Sequence, residues 1–224
     1  WSSDVCSSDL TAYVRQLGVS VGNYAYNITE NGVITKSKYT ASGTTTLSST
    51  IDVSAYVGTV GFFLVDDFEN FYIGGSAIPS ATVMNTLYFF TKAGVPISQL
   101  AFTQIQALSI DRQQRIFVGD EAPSGSCVYV YTNANGEGTV ALTLAETLTT
   151  DFNGSPLAEI QTVCADSQII VGSGVNTITF YDGVSYEPLT TFTQDAITQL
   201  ASPSAVMSSY DRYIISDNGV SNNL

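Results

Sequence analysis

The candidates for chemistry in this chain are carboxylates and thiols. Its 224 residues include no histidine, so the side chain most often used as general base and metal ligand is missing. Ser-His-Asp and Cys-His constellations cannot be assembled from these residues. Two adjacent acid pairs, Asp66-Asp67 and Asp120-Glu121, are the candidates for acid–base work on a sugar, a reaction that paired carboxylates perform. The stretch Asp66-Asp67-Phe68-Glu69-Asn70 gathers further oxygen donors. Asp66, Asp67, Glu69 and Asn70 are therefore candidate ligands for calcium, which takes roughly six to eight oxygens. The matching turns Asp111-Arg112-Gln113-Gln114 and Asp166-Ser167-Gln168 hold fewer donors, and after Asp151-Phe152-Asn153-Gly154 the acidic continuation is replaced by Ser155-Pro156. Zinc would have to draw on Cys127, Cys164 and carboxylates, a poor set. No cofactor is expected, and each of these acids also has the plainer reading of a solvated residue at a strand end.

Cys127 and Cys164 could form one disulfide or stay as two buried thiols, and their apolar neighbours Val128 and Val163 favour the thiols. Asn27-Ile28-Thr29 and Asn153-Gly154-Ser155 fit the N-glycosylation pattern, which makes Asn27 and Asn153 candidate acceptors.

The first ten residues, Trp1-Ser2-Ser3-Asp4-Val5-Cys6-Ser7-Ser8-Asp9-Leu10, resemble one reading frame of a sequencing adapter. They are set aside as an artefact before the fold is considered, and the native chain is expected to extend beyond both ends of this sequence. Without Asp4 and Asp9, 18 acidic residues stand against 7 basic ones, a net charge of −11. That surface would repel a phosphate backbone, so nucleic-acid partners are not expected. No apolar run approaches the roughly 18 residues needed to span a bilayer as a helix.

What must position the acids is β-structure. The chain has 13 Tyr and 11 Phe, only 12% charged residues and abundant Ser and Thr, a composition suited to pleated strands and turns. One pattern recurs: an apolar strand, a turn with Asp, a second apolar strand ending at Gly, a loop, then an aromatic third strand. Its clearest copy runs from Ala107-Leu108-Ser109-Ile110 through Asp111 to Arg115-Ile116-Phe117-Val118-Gly119, then Val128-Tyr129-Val130-Tyr131 and a fourth strand at Thr139–Leu144. Other copies carry the third strands Leu87-Tyr88-Phe89-Phe90 and Ile178-Thr179-Phe180-Tyr181. At the start, Gly18–Gly22 and Tyr24–Tyr26 read as the second and third strands of a copy whose beginning is missing. Gly22, Gly74, Gly119, Gly172 and Ser216 lie 44 to 53 residues apart, close to the length of a four-stranded propeller blade. The expected fold is all-β: a β-propeller fragment of three near-complete and two partial four-stranded blades, too short to close as a ring. The approximate blades are 11–57, 58–104, 105–158, 159–201 and a truncated 202–224.

The string Ile116-Phe117-Val118-Gly119-Asp120-Glu121-Ala122-Pro123, followed by Gly125 and Val128-Tyr129-Val130-Tyr131, is similar to the FG-GAP motif. Looser versions are Ile73-Gly74-Gly75 and Val171-Gly172-Ser173 with their third strands. The Gly-His and Trp-Asp marks of WD40 repeats are absent. The resemblance implies an FG-GAP-like propeller, and with no catalytic motif in view the expected function is a non-catalytic recognition or scaffold module. It would bind a protein or a glycan through the loops Ser76 to Thr86 and Glu121 to Ser126, on a secreted or cell-surface protein, with other blades of the full-length chain as neighbours. Two alternatives stay open: a glycan-acting propeller enzyme using carboxylates, with its site partly in blades outside this sequence, and a β-rich adhesin or fibre segment.

Overall fold

The computed structural model describes residues 17–40, 45–78, 83–122, 125–166, 168–173, 177–193, 203–209 and 212–217. The adapter-like segment 1–10 lies outside them. All described regular structure is strand, and among these residues no helix is long and apolar enough to cross a membrane.

The strands form antiparallel meanders in which sequence neighbours pair. The first sheet holds β1 (Leu17–Val21), β2 (Tyr24–Ile28), β3 (Val33–Tyr39) and β4 (Thr45–Asp52), and the second β5 (Val60–Val65), β6 (Phe71–Gly75), β7 (Thr86–Phe90) and β8 (Pro96–Ala101). The third holds β9 (Ile105–Ile110), β10 (Ile116–Ala122), β11 (Gly125–Asn133) and β12 (Leu142–Leu148). The fourth holds β13 (Ile160–Ala165), β14 (Gln168–Ser173), β15 (Thr177–Asp182) and β16 (Pro188–Thr193). Among the described residues a fifth sheet has two strands, β17 (Pro203–Ser209) and β18 (Arg212–Asp217). These are blades of the propeller kind: all-β, four-stranded and antiparallel.

The chain divides into two compact units, residues 1–104 with 133–142, and residues 105–132 with 143–224. In the first unit β1 lies beside β5. Its core joins Tyr26, Ile28 and Ile34 of the first sheet to Phe63, Val65, Phe71, Ile73, Tyr88 and Phe90 of the second. In the second unit β9 lies beside β13 and β13 beside β17, and Phe117, Val128 and Val130 pack on Val163, Ile169, Val171 and Tyr181. Within each unit first strands are thus neighbours from sheet to sheet. The central strands β6 and β7 are buried at every position, the continuous apolar pattern of a strand covered on both faces. Each large side chain so buried stabilises by about 1.5–3 kcal/mol.

At Gly119 the repeat glycine has a steric cause. Gly119 pairs with Val128 in register, and a Cβ on it would stand 2.6 Å from Ile160 Cγ2 on the next sheet. A Cβ on Gly75, next to the repeat position Gly74, would stand 2.6 Å from Val57 and 2.7 Å from the Thr59 carbonyl. At Gly119 the crowding comes from side chains and at Gly75 from a side chain and a carbonyl, and in both places only hydrogen fits.

The first sheet differs from the strand assignment made on sequence. Gly18–Gly22 and Tyr24–Tyr26 fall on the first and second strands of a four-stranded sheet rather than on the second and third. Gly22 is a turn glycine at φ 57° in a two-residue hairpin, with Val21 paired to Tyr24, and nothing lies within 4 Å of the position a Cβ would take. Glycine serves a left-handed turn and a close strand approach equally well, so the residue type alone does not separate the two.

Candidate functional site

Among the described residues, five turns share one construction: 29–33, 66–70, 91–95, 111–115 and 151–155. In each, the first residue's N–H bonds the fifth residue's carbonyl, and the fourth residue's N–H bonds the first residue's carbonyl. The fourth residue is left-handed, with φ 81° at Gly32, 64° at Glu69, 78° at Gly94, 62° at Gln114 and 78° at Gly154. This is a three-residue hairpin connection ending in a left-handed residue. The first side chain completes it by accepting backbone N–H groups. Asp66 Oδ1 accepts from Phe68 at 2.9 Å and Asn70 at 2.8 Å, and Asp111 Oδ1 from Gln113 at 2.9 Å and Arg115 at 2.8 Å. Asp151 Oδ1 accepts from Asn153 and Ser155, both at 2.8 Å, and the Thr91 hydroxyl from Ala93 and Val95, both at 3.2 Å. Asp182 caps its own turn through the N–H groups of Ser185 and Val184, which hold its carboxyl below the usual range.

At Asp66 the second oxygen is occupied as well. Oδ2 accepts from Asn70 Nδ2 at 2.8 Å, the Tyr72 hydroxyl at 3.0 Å and Asn135 Nδ2 at 2.8 Å, in a site where Asp66 is 1% exposed. Asn70 also donates to the Gly136 carbonyl and accepts from the Gly138 N–H, while Asn133 donates to the Tyr72 hydroxyl at 2.7 Å. Burial, and then the charge of Asp66, push the Tyr72 phenol far above its ordinary pKa. All these residues belong to the first unit, and the network fastens the turn 66–70 to the turn 134–141.

Of the four calcium candidates, Asp66 and Asn70 are thus bound to each other, Asp67 is exposed, and Glu69 faces elsewhere. Both Glu69 carboxylate oxygens accept hydrogen bonds from Lys36 Nζ, at 2.9 and 2.8 Å. The ammonium stands 3.9 Å from the centre of the Tyr24 ring and 5.5 Å from that of Tyr26, within cation–π range. The wholly buried Tyr26 hydroxyl has no hydrogen-bond partner, and burial, followed by the nearby Glu69, drives its pKa far up. The sequence carries no sign of this cluster, because Lys36 and Glu69 are 33 residues apart. Among the described residues no group of three or more His, Cys, Asp or Glu is placed to hold a metal.

Asp111 is matched in the second unit by Arg115, 6% exposed, whose Nε donates to Asp111 Oδ2 at 2.7 Å. The same guanidinium donates to the Gly183 carbonyl and, at 3.3 Å, to the Tyr186 hydroxyl. It also lies 5.4 Å from the Phe117 ring centre. Here too the fifth residue of an Asp turn reaches the third-to-fourth-strand turn of the following sheet.

The second acid pair is split by strand alternation. Asp120, 2% exposed, sits opposite Cys127 in the β10–β11 register and shares a face with Cys127, Tyr129 and Tyr131. Tyr129 is pushed up to about 12, first by its hydrogen bond with the Cys127 thiol, then by burial and neighbouring charge including Asp120. Burial raises Cys127 and Tyr131, each further raised by Asp120. Glu121 points to the other face and accepts from Gln106 Nε2 at 2.8 Å. Cys127 and Cys164 are both buried and not in disulfides. Of the glycosylation candidates, Asn27 lies half-buried within β2, paired with Thr35, and Asn153 is exposed in the turn 151–155. Within the loops read as a binding face, residues 79–82 and 123–124 lie outside the described residues.

No protein-family model matches the chain, and no curated protein matches it. The chain is similar in fold to the crystal structure of the computationally designed Ika8 protein, with a TM-score of 0.57 and 13% identity over 89% of this chain. It spans about half the length of that structure, covering 54% of it. At that identity the likeness is one of fold alone. Sheet order, register and this likeness agree that the chain is an all-β run of four-stranded propeller blades.

Proposed function

We propose that the chain is a non-catalytic β-propeller recognition or scaffold module of FG-GAP-like character, binding a protein or a glycan on a secreted or cell-surface protein. The observation that carries the reading is the use made of the acids. Asp66, Asp111, Asp151 and Asp182 accept backbone N–H groups of their own turns, and Glu69 and Glu121 are engaged by Lys36 and Gln106. Both adjacent acid pairs are divided, with Asp66 and Asp120 buried, Asp67 exposed and Glu121 on the opposite face of its strand, so neither offers two carboxylates flanking one bond. The recognition surface assigned to such a module is the set of connections from second to third strand within 76–86 and 121–126; Ser76, Thr86 and Ser126 at their ends are buried, and 121–122 and 125–126 belong to β10 and β11. Replacing 77–83 and, separately, 122–125 by Gly/Ser segments of equal length tests this against immobilised glycans and extracellular proteins. Loss of a wild-type interaction with an unchanged melting temperature supports the reading, and binding that survives both loop replacements overturns it.

A second reading, an enzyme acting on glycans, draws on Asp120. A buried carboxylate beside the Tyr129 and Tyr131 phenols is the arrangement here closest to proton chemistry.

A further inference from the structure

Among the described residues stand three Asn-Gly dipeptides, Asn31-Gly32, Asn135-Gly136 and Asn153-Gly154, and a fourth, 218–219, lies outside them. An asparagine before a glycine can react with its own backbone. The glycine nitrogen attacks the side-chain amide carbon, a C–N bond forms and ammonia leaves. Water then opens the five-membered succinimide at either carbonyl, giving aspartate or isoaspartate. Both reacting groups are held on one chain, and glycine has no side chain to hinder the approach. The ring closes only if the amide can turn and the glycine can follow it.

The three dipeptides are identical, so their surroundings decide which of them reacts. In each, the glycine N–H is bonded at 3.0 Å to a carbonyl of its own turn, that of Thr29, Thr139 or Asp151. Opening that bond is a step common to all three. Asn31 is exposed, but Gly32 is buried. The Gly32 carbonyl accepts the Val53 N–H at 2.9 Å, and Ser54 backbone atoms lie 3.3 Å from the place a Cβ would take. Asn135 is held at the amide itself, whose Nδ2 donates to Asp66 Oδ2 at 2.8 Å, while the Gly136 carbonyl accepts from Asn70. At Asn153-Gly154 both residues are exposed, and nothing lies within 4 Å of the Cβ position of Gly154.

We propose that Asn153 is a site of spontaneous deamidation, and that folding shields Asn31 at its glycine and Asn135 at its amide. The product alters the turn that carries it. Asp151 Oδ1 accepts the N–H groups of Asn153 and Ser155, both at 2.8 Å. Conversion sets a second carboxylate two residues from Asp151, and the isoaspartate form routes the backbone through the β-carbon between those two N–H groups. The turn lies between β12 and β13, closed by the Thr150–Pro156 bridge, so a lengthened backbone there loosens the passage from the third sheet to the fourth. At Asn135 the same conversion would put a carboxylate oxygen where an N–H now meets buried Asp66. The inference is independent of any ligand, although a glycan on Asn153 would block the reaction.

The test incubates the full chain, produced without a glycan, in heavy-oxygen water at neutral and mildly alkaline pH, folded and in urea. Peptide mapping by mass spectrometry and an isoaspartate methyltransferase assay follow the label. In the folded chain, label should enter residue 153 at least about tenfold faster than 135, the factor that one hydrogen bond to a charged acceptor sustains, and faster than 31. In urea the three rates should converge. Asp66→Ala should raise the rate at 135 and leave that at 153 unchanged. The proposal is overturned by equal rates at the three sites in the folded chain, by 31 or 135 leading, or by a residue 153 that stays unlabelled in the folded chain.

Discussion

Removing Asp111 should cost far more than removing Asp151, although both cap the same kind of turn. Each accepts two backbone N–H groups at 2.8–2.9 Å. They differ in what else depends on them. Asp111 is 4% exposed and holds the Nε of Arg115, itself 6% exposed, whereas Asp151 sits in a turn whose next five residues are exposed. Loss of a turn cap costs about 1 kcal/mol, and a buried charge left without its partner costs about 3–5 kcal/mol. Asp111→Ala should therefore lose about 3–5 kcal/mol and Asp151→Ala about 1 kcal/mol by urea denaturation. Adding Arg115→Met to Asp111→Ala should recover part of the loss, since no cation is then left unpaired in the core. If Asp111→Ala costs no more than Asp151→Ala, or if the double variant is as damaged as the single one, the account of Arg115 as a buried, dependent charge is wrong.

Two further outcomes follow from the same geometry. Gly119→Ala should destabilise by about 1–3 kcal/mol through overpacking on Ile160, and Gly154→Ala by about 1–2 kcal/mol through its left-handed backbone alone, since nothing lies within 4 Å of the new methyl. Thermal melts of the two variants check both, and an Ile160→Val background should rescue only the first. The phenols of Tyr26, Tyr72, Tyr129 and Tyr181 are all raised, chiefly by burial or, at Tyr129, by the Cys127 thiol. A raised folded-state value means stability fully present below the unfolded value of about 10 and lost as pH rises beyond it. At Tyr129 the loss spans pH 10.0 to about 12. Ultraviolet titration should show these phenols ionising together with unfolding above pH 10 rather than before it.

The β-period, the aromatic third strands and the Asp-bearing turns were legible because each follows from local pattern: alternation, β-branched and aromatic content, and turn residues at strand ends. The first sheet was less so. Its third strand, Val33-Ile34-Thr35-Lys36-Ser37-Lys38-Tyr39, lacks the aromatic run of the other copies, and Gly22 looks the same as a strand-end glycine. The role of the acids was hidden for a different reason. Whether Asp66 is free to bind an ion depends on Glu69 adopting a left-handed backbone, an uncommon state for a residue with a side chain, and on Asn133 and Asn135 arriving from a distant turn. In the Lys36–Glu69 and Arg115–Gly183 contacts the partners are 33 and 68 residues apart, beyond the reach of any local signal. The alternation of Cys127, Tyr129 and Tyr131 was visible, but placing Asp120 among them required the hairpin register.

We propose that these carboxylates serve the fold and that the module recognises rather than transforms its ligand. The most direct test measures glycoside hydrolysis across a substrate panel together with the melting temperature, for the wild type and for Asp66→Asn, Asp111→Asn and Asp120→Asn. None of the four proteins should show turnover, and Asp66→Asn and Asp111→Asn should melt at lower temperatures. Turnover by the wild type that disappears in Asp120→Asn at an unchanged melting temperature would contradict it and establish the enzyme reading.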